Sequence, residues 1–403
     1  MHTAEELRAA AEAGRLREAK GIGPKTERKI LEGLARERPR RRRGLLINRA
    51  RALGETIARD LDADLAGEIR RWRDVTYELA LVSSDPDAFE RLESSPTVVA
   101  IVERSASRAV GVTVEGIPVE LVVAPPERYG TELVRATGSA AYVASLGELP
   151  DARTEAELYA ELGLSWCPPE LREAALDRDP PALVELAEIR GDLHCHTTWS
   201  DGKASVEKMA IAARDLGYEY VAICDHTPNV RVVPGLDAHA LRQQADEIAE
   251  ANERLAPFRV LRGVECDIRS DGTLDLPDEV LAELDWVQLS LHAGQRQDGD
   301  RLTRMVLEAM RHPAVRCLSH PKGRIINHRP PNAVQLDRVI EVALEEGVAL
   351  ETNGLPSRLD LCDVDVRLAV EAGVPIVCST DAHSVRGLGA MPVSYTHLTL
   401  PTN

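Results

Sequence analysis

Beyond residue 187 the chain keeps a beat that few folds can accommodate. Apolar, strand-like runs end at or near His194, His226, Glu265, His292, His320, Asn353 and Asp381, at intervals of 32, 39, 27, 28, 33 and 28 residues. Each interval has room for one strand, one amphipathic helix and their loops, and residues 240–255 and 335–346 carry the helical spacing openly. Seven strands alternating with helices in this way predict a parallel α/β architecture, with a barrel as its preferred form. Barrel enzymes gather their chemistry at the C-terminal ends of the strands. Six of these seven ends carry His, Asp or Glu.

The first of the strands ends Asp192-Leu193-His194-Cys195-His196, with Asp201 shortly after. Two histidines at i and i+2 of an extended strand point the same way, so both imidazoles can reach one metal. Alone, such a pair is more often structural. The other strand ends then add Asp225-His226, Gly263-Val264-Glu265, Ser290-Leu291-His292, Ser319-His320-Pro321 and Asp381-Ala382-His383. Six of the eleven histidines fall in these motifs, which is too many coincidences for satisfied core side chains. Mixed imidazole and carboxylate donors suit Mn, Zn or Fe better than Ca. Bound ions of this kind bring the pKa of water down to about 7 and neutralise charge developing at phosphorus, so phosphoester hydrolysis is the expected chemistry.

Position by position these residues resemble the polymerase and histidinol phosphatase (PHP) family, a distorted seven-stranded barrel. The resemblance implies three divalent ions. One would be held by His194, His196, Glu265 and Asp381, a second by Glu265, His292 and His320, and a third by Asp201, His226 and His383. Glu265 and Asp381 are the catalytic carboxylates on this reading, and Lys322 and Arg324 are the candidates for holding the phosphate. Arg231 and Arg358 are weaker candidates. Cys195, Cys224, Cys266 and Cys378 read as small core residues beside the ligands.

The front of the chain reads differently. Residues 1–60 carry 16 basic against 9 acidic side chains, whereas the whole chain stands at −17. A small basic module attached to a large acidic body is the implied organisation, and such modules favour polyanions. Its turn, Lys20-Gly21-Ile22-Gly23-Pro24-Lys25, lies between two helical stretches and resembles a helix-hairpin-helix. Gly21, Ile22, Gly23 and Lys25 would then meet DNA phosphates without reading sequence. The expected domains are this module over 1–60, a small α+β domain over 61–165, a linker over 166–190, the barrel over 191–393, and a non-native tail of translated adapter sequence over 394–403.

Residues 61–165 resemble the palm and thumb of bacterial family X DNA polymerases, in which a polymerase core precedes a PHP domain. Val119–Gly130, Thr137-Gly138-Ser139 and Glu161–Leu164 carry that likeness, and the expectation from the resemblance is that the family's first helical domain, with its first hairpin, is absent ahead of them. Nucleotidyl transfer needs clustered aspartates. Counting from the lead-in Arg70-Arg71-Trp72-Arg73-Asp74, the paired positions fall on Glu78 and Ala80, and the third on Glu120. Alanine cannot ligate a metal, so the polymerase site is expected to be degenerate.

The expected function is a metal-dependent 3′-to-5′ DNA exonuclease or DNA-end phosphoesterase acting in DNA repair. The alternatives are a small-molecule phosphatase of the histidinol-phosphate type, a non-catalytic DNA-binding scaffold, and an active polymerase. No apolar run approaches the ~18 residues of a membrane span. Seven cysteines without CxxC spacing fit reduced thiols, and the expected location is the cytoplasm.

Overall fold

The computed structural model describes residues 9–18, 23–24, 26–28, 31, 44–175 and 179–395. It divides into two compact units, residues 1–43 and 44–403. In the first, Ala10, Ala11 and Leu16 pack with Leu31, and Arg17 Nε donates to Glu27 Oε1 at 2.6 Å. The carbonyl of Gly23 accepts from the backbone N–H groups of Thr26 and Glu27. Gly21, Ile22 and Lys25 of the expected hairpin lie outside the described residues.

The basic module ends earlier than its charge implies. Helix Ile47–Leu61 buries Ala50, Gly54, Ile57, Ala58 and Leu61 against the following sheet, while Arg49 and Arg59 are exposed and Arg51 lies half-buried over Trp72. Residues 44–60 therefore belong to the α+β domain, which corrects the expected boundary at 60. Two short pieces, β1 (Leu45–Leu46) and β3 (Val75–Thr76), pair antiparallel beneath this helix. The main sheet runs β2 (Ala63–Ala66), β4 (Leu79–Ser83), β7 (Pro118–Val123), β6 (Arg108–Thr113), β5 (Val98–Arg104). Alternation along β4 sends Leu79 and Leu81 toward helix Ile47–Leu61, and Ala80 and Val82 toward helix Tyr129–Thr137. β4 and β7 are parallel, with Ala80 directly opposite Glu120.

The expected linker is also packed more firmly than a connector. Cys167 and Leu171 share a small core with Tyr142, Leu158 and Tyr159. Arg172 is fully buried, gripping both oxygens of Glu155 while it donates to the carbonyl of Cys167. Burial alone would raise Glu155, but the Arg70 and Arg172 guanidiniums hold its carboxyl down at about 2.

Seven parallel strands follow in consecutive order: β8 (Gly191–Cys195), β9 (Tyr220–Ile223), β10 (Arg259–Asp267), β11 (Trp286–Ser290), β12 (Cys317–Leu318), β13 (Ala349–Asn353) and β14 (Ile376–Ser379). The ring closes through an isolated parallel bridge between Cys195 and Ala382, where His196 N donates to Ala382 O at 2.9 Å. Helices begin where capping chemistry predicts. Asp237 accepts from Ala240 N to start 238–255, and Asp298 accepts from Arg301 N to start 299–310. Gly347, at φ +68°, ends Leu336–Glu346 in the left-handed region that glycine adopts freely. The chain then forms helix Met391–Tyr395, and Ser394 Oγ donates to Thr352 O, so the expected tail boundary at 394 falls inside packed structure. Residues 396–403 lie outside the described residues. No described helix is long and apolar enough to cross a membrane.

Candidate metal centre

The nine polar strand-end residues converge at the C-terminal mouth of the barrel. His194 leaves β8 and His196 follows it, and their Nε2 atoms face each other at 3.1 Å. His196 Nε2 lies 3.2 Å from Asp381 Oδ1, and both imidazoles lie 3.7 Å from Glu265 Oε2. Glu265, on β10, is the centre of the cluster. Its Oε1 is 2.8 Å from His320 Nε2 and 3.5 Å from His292 Nε2, and its Oε2 is 2.8 Å from His226 Nδ1. Asp201 meets His383 Nε2 at 3.3 Å and His226 Nε2 at 3.6 Å.

Two imidazoles stand between groups. His196 turns Nδ1 toward Asp201 at 3.9 Å while its Nε2 faces His194 and Asp381. His226 divides its two nitrogens between Glu265 and Asp201. Three sets of donor atoms lie close enough to share an ion: His194, His196 and Asp381; His226, Glu265 and His292; and His196, Asp201, His226 and His383.

The donors fit metal ions on their own evidence. His196 Nδ1 and His320 Nδ1 are buried and have no hydrogen-bond partner among the described residues, and His226 Nδ1 and Glu265 Oε2 lie 2.8 Å apart without forming an aligned hydrogen bond to each other or to any other described group. Such atoms are costly unless something fills the space between them. Burial, then the neighbouring His226 and His383 rings, pushes His196 down to about 3, leaving the neutral imidazole that coordination requires. Burial also opposes charge on His383, but Asp201 and Asp381 overcome it and bring that ring up to about 9. Asp201 itself is held at about 2, burial notwithstanding, by the histidines around it, His383 foremost.

Behind the donors stands a second layer that fixes them. Glu351, fully buried on β13, lies 2.7 Å from His194 Nδ1 and accepts from His320 N at 2.7 Å, from Gln288 Nε2 at 2.9 Å, and from Ser379 Oγ. A carboxylate on the far nitrogen of an imidazole fixes its tautomer and turns the other nitrogen toward the site. Asp192 accepts from His194 N and Thr380 N and so ties β8 to the segment bearing Asp381. Asp225 accepts from Thr197 N, Thr197 Oγ1, Ser200 Oγ and Gln244 Nε2, which shapes the loop leading to Asp201. Asp381 at φ +53° and His320 at φ +27° occupy backbone regions that non-glycine residues rarely adopt, a strain that concentrates at functional sites.

The two expected phosphate holders do not face this cluster. Lys322 Nζ donates to Val334 O at 2.5 Å, and Arg324 is committed to Asp74 and to the carbonyls of Arg358 and Leu359. Both carry fixed hydrogen bonds elsewhere, which corrects their assignment. Arg358 is the cation that lines the cavity of about 190 Å³ above the cluster. Its Nε is 3.5 Å from Asp381 Oδ2 and its buried NH1 has no partner among the described residues. Arg231 does not line that cavity; Val230, Val232 and Val233 of the same loop do.

The palm-like sheet carries a separate cleft of about 550 Å³. Glu78, Ala80 and Glu120 line it, but Glu120 pairs with Arg108. Arg71 binds Glu173 at 2.8 Å and Thr137 O at 2.5 Å, and Arg135 binds Glu132 at 2.8 Å. Every arginine lining this cleft is thus already matched by a carboxylate.

Fold and cluster together define the class, and the PHP domain model matches residues 192–353. Over 98% of its length the chain is 34% identical to the DNA polymerase/3'-5' exonuclease PolX of Bacillus subtilis, spanning 76% of that protein. The chain therefore belongs to the family X DNA polymerases that carry a PHP domain. The barrel half is also similar to proteins called "Probable phosphatase". One, from Acetivibrio thermocellus, is 29% identical over 48% of this chain and 78% of its own length. Another, from Syntrophotalea carbinolica, is 27% identical over 52% of this chain and 86% of its own length.

Proposed function

We propose that this chain is a metal-dependent 3′-to-5′ DNA exonuclease or DNA-end phosphoesterase of DNA repair, with the polymerase site silent. The observation that carries the proposal is the convergence of eight imidazole and carboxylate side chains on Glu265, with buried donor atoms among them that have no hydrogen-bond partner among the described residues. Divalent ions would be held among these donors, and the family resemblance implies three, with Glu265 counted in two of its three ligand sets. When bound, Mn, Zn or Fe supplies an acidified water and neutralises charge on the phosphoryl oxygens. Arg358 adds a fixed cation beside the ions, its free NH1 able to hold a non-bridging oxygen. The direction of digestion and the DNA substrate are taken from the Bacillus relative, whose name states a 3′-to-5′ exonuclease.

The silent polymerase site is supported by charge as well as by missing ligands. Ala80 supplies no oxygen, and the cleft's arginines are neutralised by Glu120, Glu132 and Glu173, leaving none for a triphosphate.

The test is digestion of a 5′-labelled single-stranded oligonucleotide in Mn, comparing wild type with His194→Ala. A stepwise ladder lost in the variant is expected. Cleavage of p-nitrophenyl phosphate without a ladder would instead establish the small-molecule phosphatase, the reading favoured by the barrel's likeness to the phosphatase relatives. Primer extension should be undetectable.

A further inference from the structure

The loop that carries Arg358 is held by the loop that follows β12. Arg324 Nε donates to the carbonyls of Arg358 and Leu359, both at 2.8 Å. The backbone N–H groups of Lys322 and Arg324 donate to the two oxygens of Asp360, each at 3.1 Å. Between them Leu359 sits at φ +42°, a left-handed conformation that a leucine keeps only when its surroundings impose it. Those surroundings come partly from the palm-like domain. Leu359 is buried with Ile47, Ile326 and Val393, against Trp72 and Val75. The other arm of Arg324, NH1, donates to Asp74 Oδ2 at 3.0 Å, with side-chain exposures of only 15% and 25%.

We propose that the palm-like domain sets the phosphate affinity of the barrel, through a relay from Asp74 to Arg324 to the Arg358 loop. Asp74 and Arg324 are positioning residues in this relay: neither touches the metal cluster, and both act by fixing where Arg358 NH1 points. The relay gives a palm without catalytic carboxylates a continuing task, because the loop's strained backbone depends on contacts it supplies. The inference rests on Arg358 as the phosphate-facing cation, and its test separates the two.

Inorganic phosphate is titrated calorimetrically into the Mn-loaded full chain of wild type, Asp74→Asn, Arg358→Ala and the double variant. Asp74→Asn should weaken phosphate binding about tenfold, within the range expected when a positioned group moves by about 1 Å. Bound Mn should be unchanged. In the Arg358→Ala background the same substitution should cost less than twofold, because the relay then has nothing to position. An Asp74→Asn protein that binds phosphate like wild type, or that loses tenfold in both backgrounds, overturns the relay. An Arg358→Ala protein with unaltered phosphate affinity overturns the reading of Arg358, and the relay with it. Should Asp74→Asn fail to fold, Arg324→Lys takes its place. A single ammonium keeps the ion pair but cannot span two carbonyls, so the same loss and the same coupling are expected.

Discussion

The barrel and the palm-like domain each gather acidic side chains at one site, and they treat those acids in opposite ways. In the barrel, Glu265, Asp381 and Asp201 face imidazoles, several of whose buried nitrogens have no hydrogen-bond partner among the described residues. In the palm, Glu120, Glu132 and Glu173 face guanidiniums, which satisfy them outright. The difference is one of completeness. An acid matched to arginine is a finished salt bridge, whereas an acid among imidazoles with unpartnered nitrogens leaves a set of donor atoms that a cation could complete. The partner of a carboxylate thus says more about its use than its position on a strand.

The largest test of this contrast is Glu265→Gln. An amide in place of the central carboxylate should remove shared metal from the cluster and lower hydrolysis of bis-p-nitrophenyl phosphate by about 10³-fold or more, the equivalent of several kcal/mol of charge stabilisation. Metal content by elemental analysis and rate should fall together. Full metal retention would break the comparison at its strongest point.

Next in size is Glu351→Gln. Its carboxylate touches His194 and the backbone of His320, not the space between the donors, so the ligands stay but lose their orientation. Metal affinity should fall about 10–100-fold, as for other partners behind a metal-bound histidine, and excess Mn should restore the rate. No rescue by excess metal would place Glu351 among the direct ligands.

Glu155→Gln sharpens the other side. Glu155 is an acid finished by two arginines, and its carboxyl is held at about 2 against an ordinary 4.5. A depressed acid contributes stability above its unfolded pKa and loses it as pH falls through the folded one. The variant should therefore be less stable by roughly 3 kcal/mol at pH 7, with the deficit shrinking between about pH 4.5 and pH 2. Urea unfolding at both ends of that range is the measurement. Bound metal should not change.

How legible this was from sequence depended on whether a feature lived in spacing or in direction. The seven strands and the residues from His194 to His383 are matters of spacing, and the period carries them. Glu351 is two residues before the strand end at Asn353, on the same side of β13, so the terminal positions alone do not mark it. Lys322 and Arg324 follow His320 in sequence, but a loop gives no rule for where side chains turn, and both turn away. Charge puts a boundary at 60, whereas the buried stripe Ala50, Gly54, Ile57, Ala58 and Leu61 marks that helix as part of the next core.

The smallest expected effect is the most discriminating for the palm. Glu120→Ala removes one of the two acidic residues, Glu78 and Glu120, that stand at the three positions counted onto polymerase aspartates. Because Glu120 is engaged with Arg108 and faces Ala80, no metal is expected to depend on it. Barrel hydrolysis should stay within about twofold of wild type, since this pair lies outside both the cluster and the contacts that hold the Arg358 loop. A stability change of a surface ion pair, about 0–1 kcal/mol, is all that should register. If instead Glu120→Ala removed a bound metal or a trace of primer extension, the palm's carboxylates would have kept a use that their arginine partners argue against, and the contrast between the two regions would fail on the palm's side.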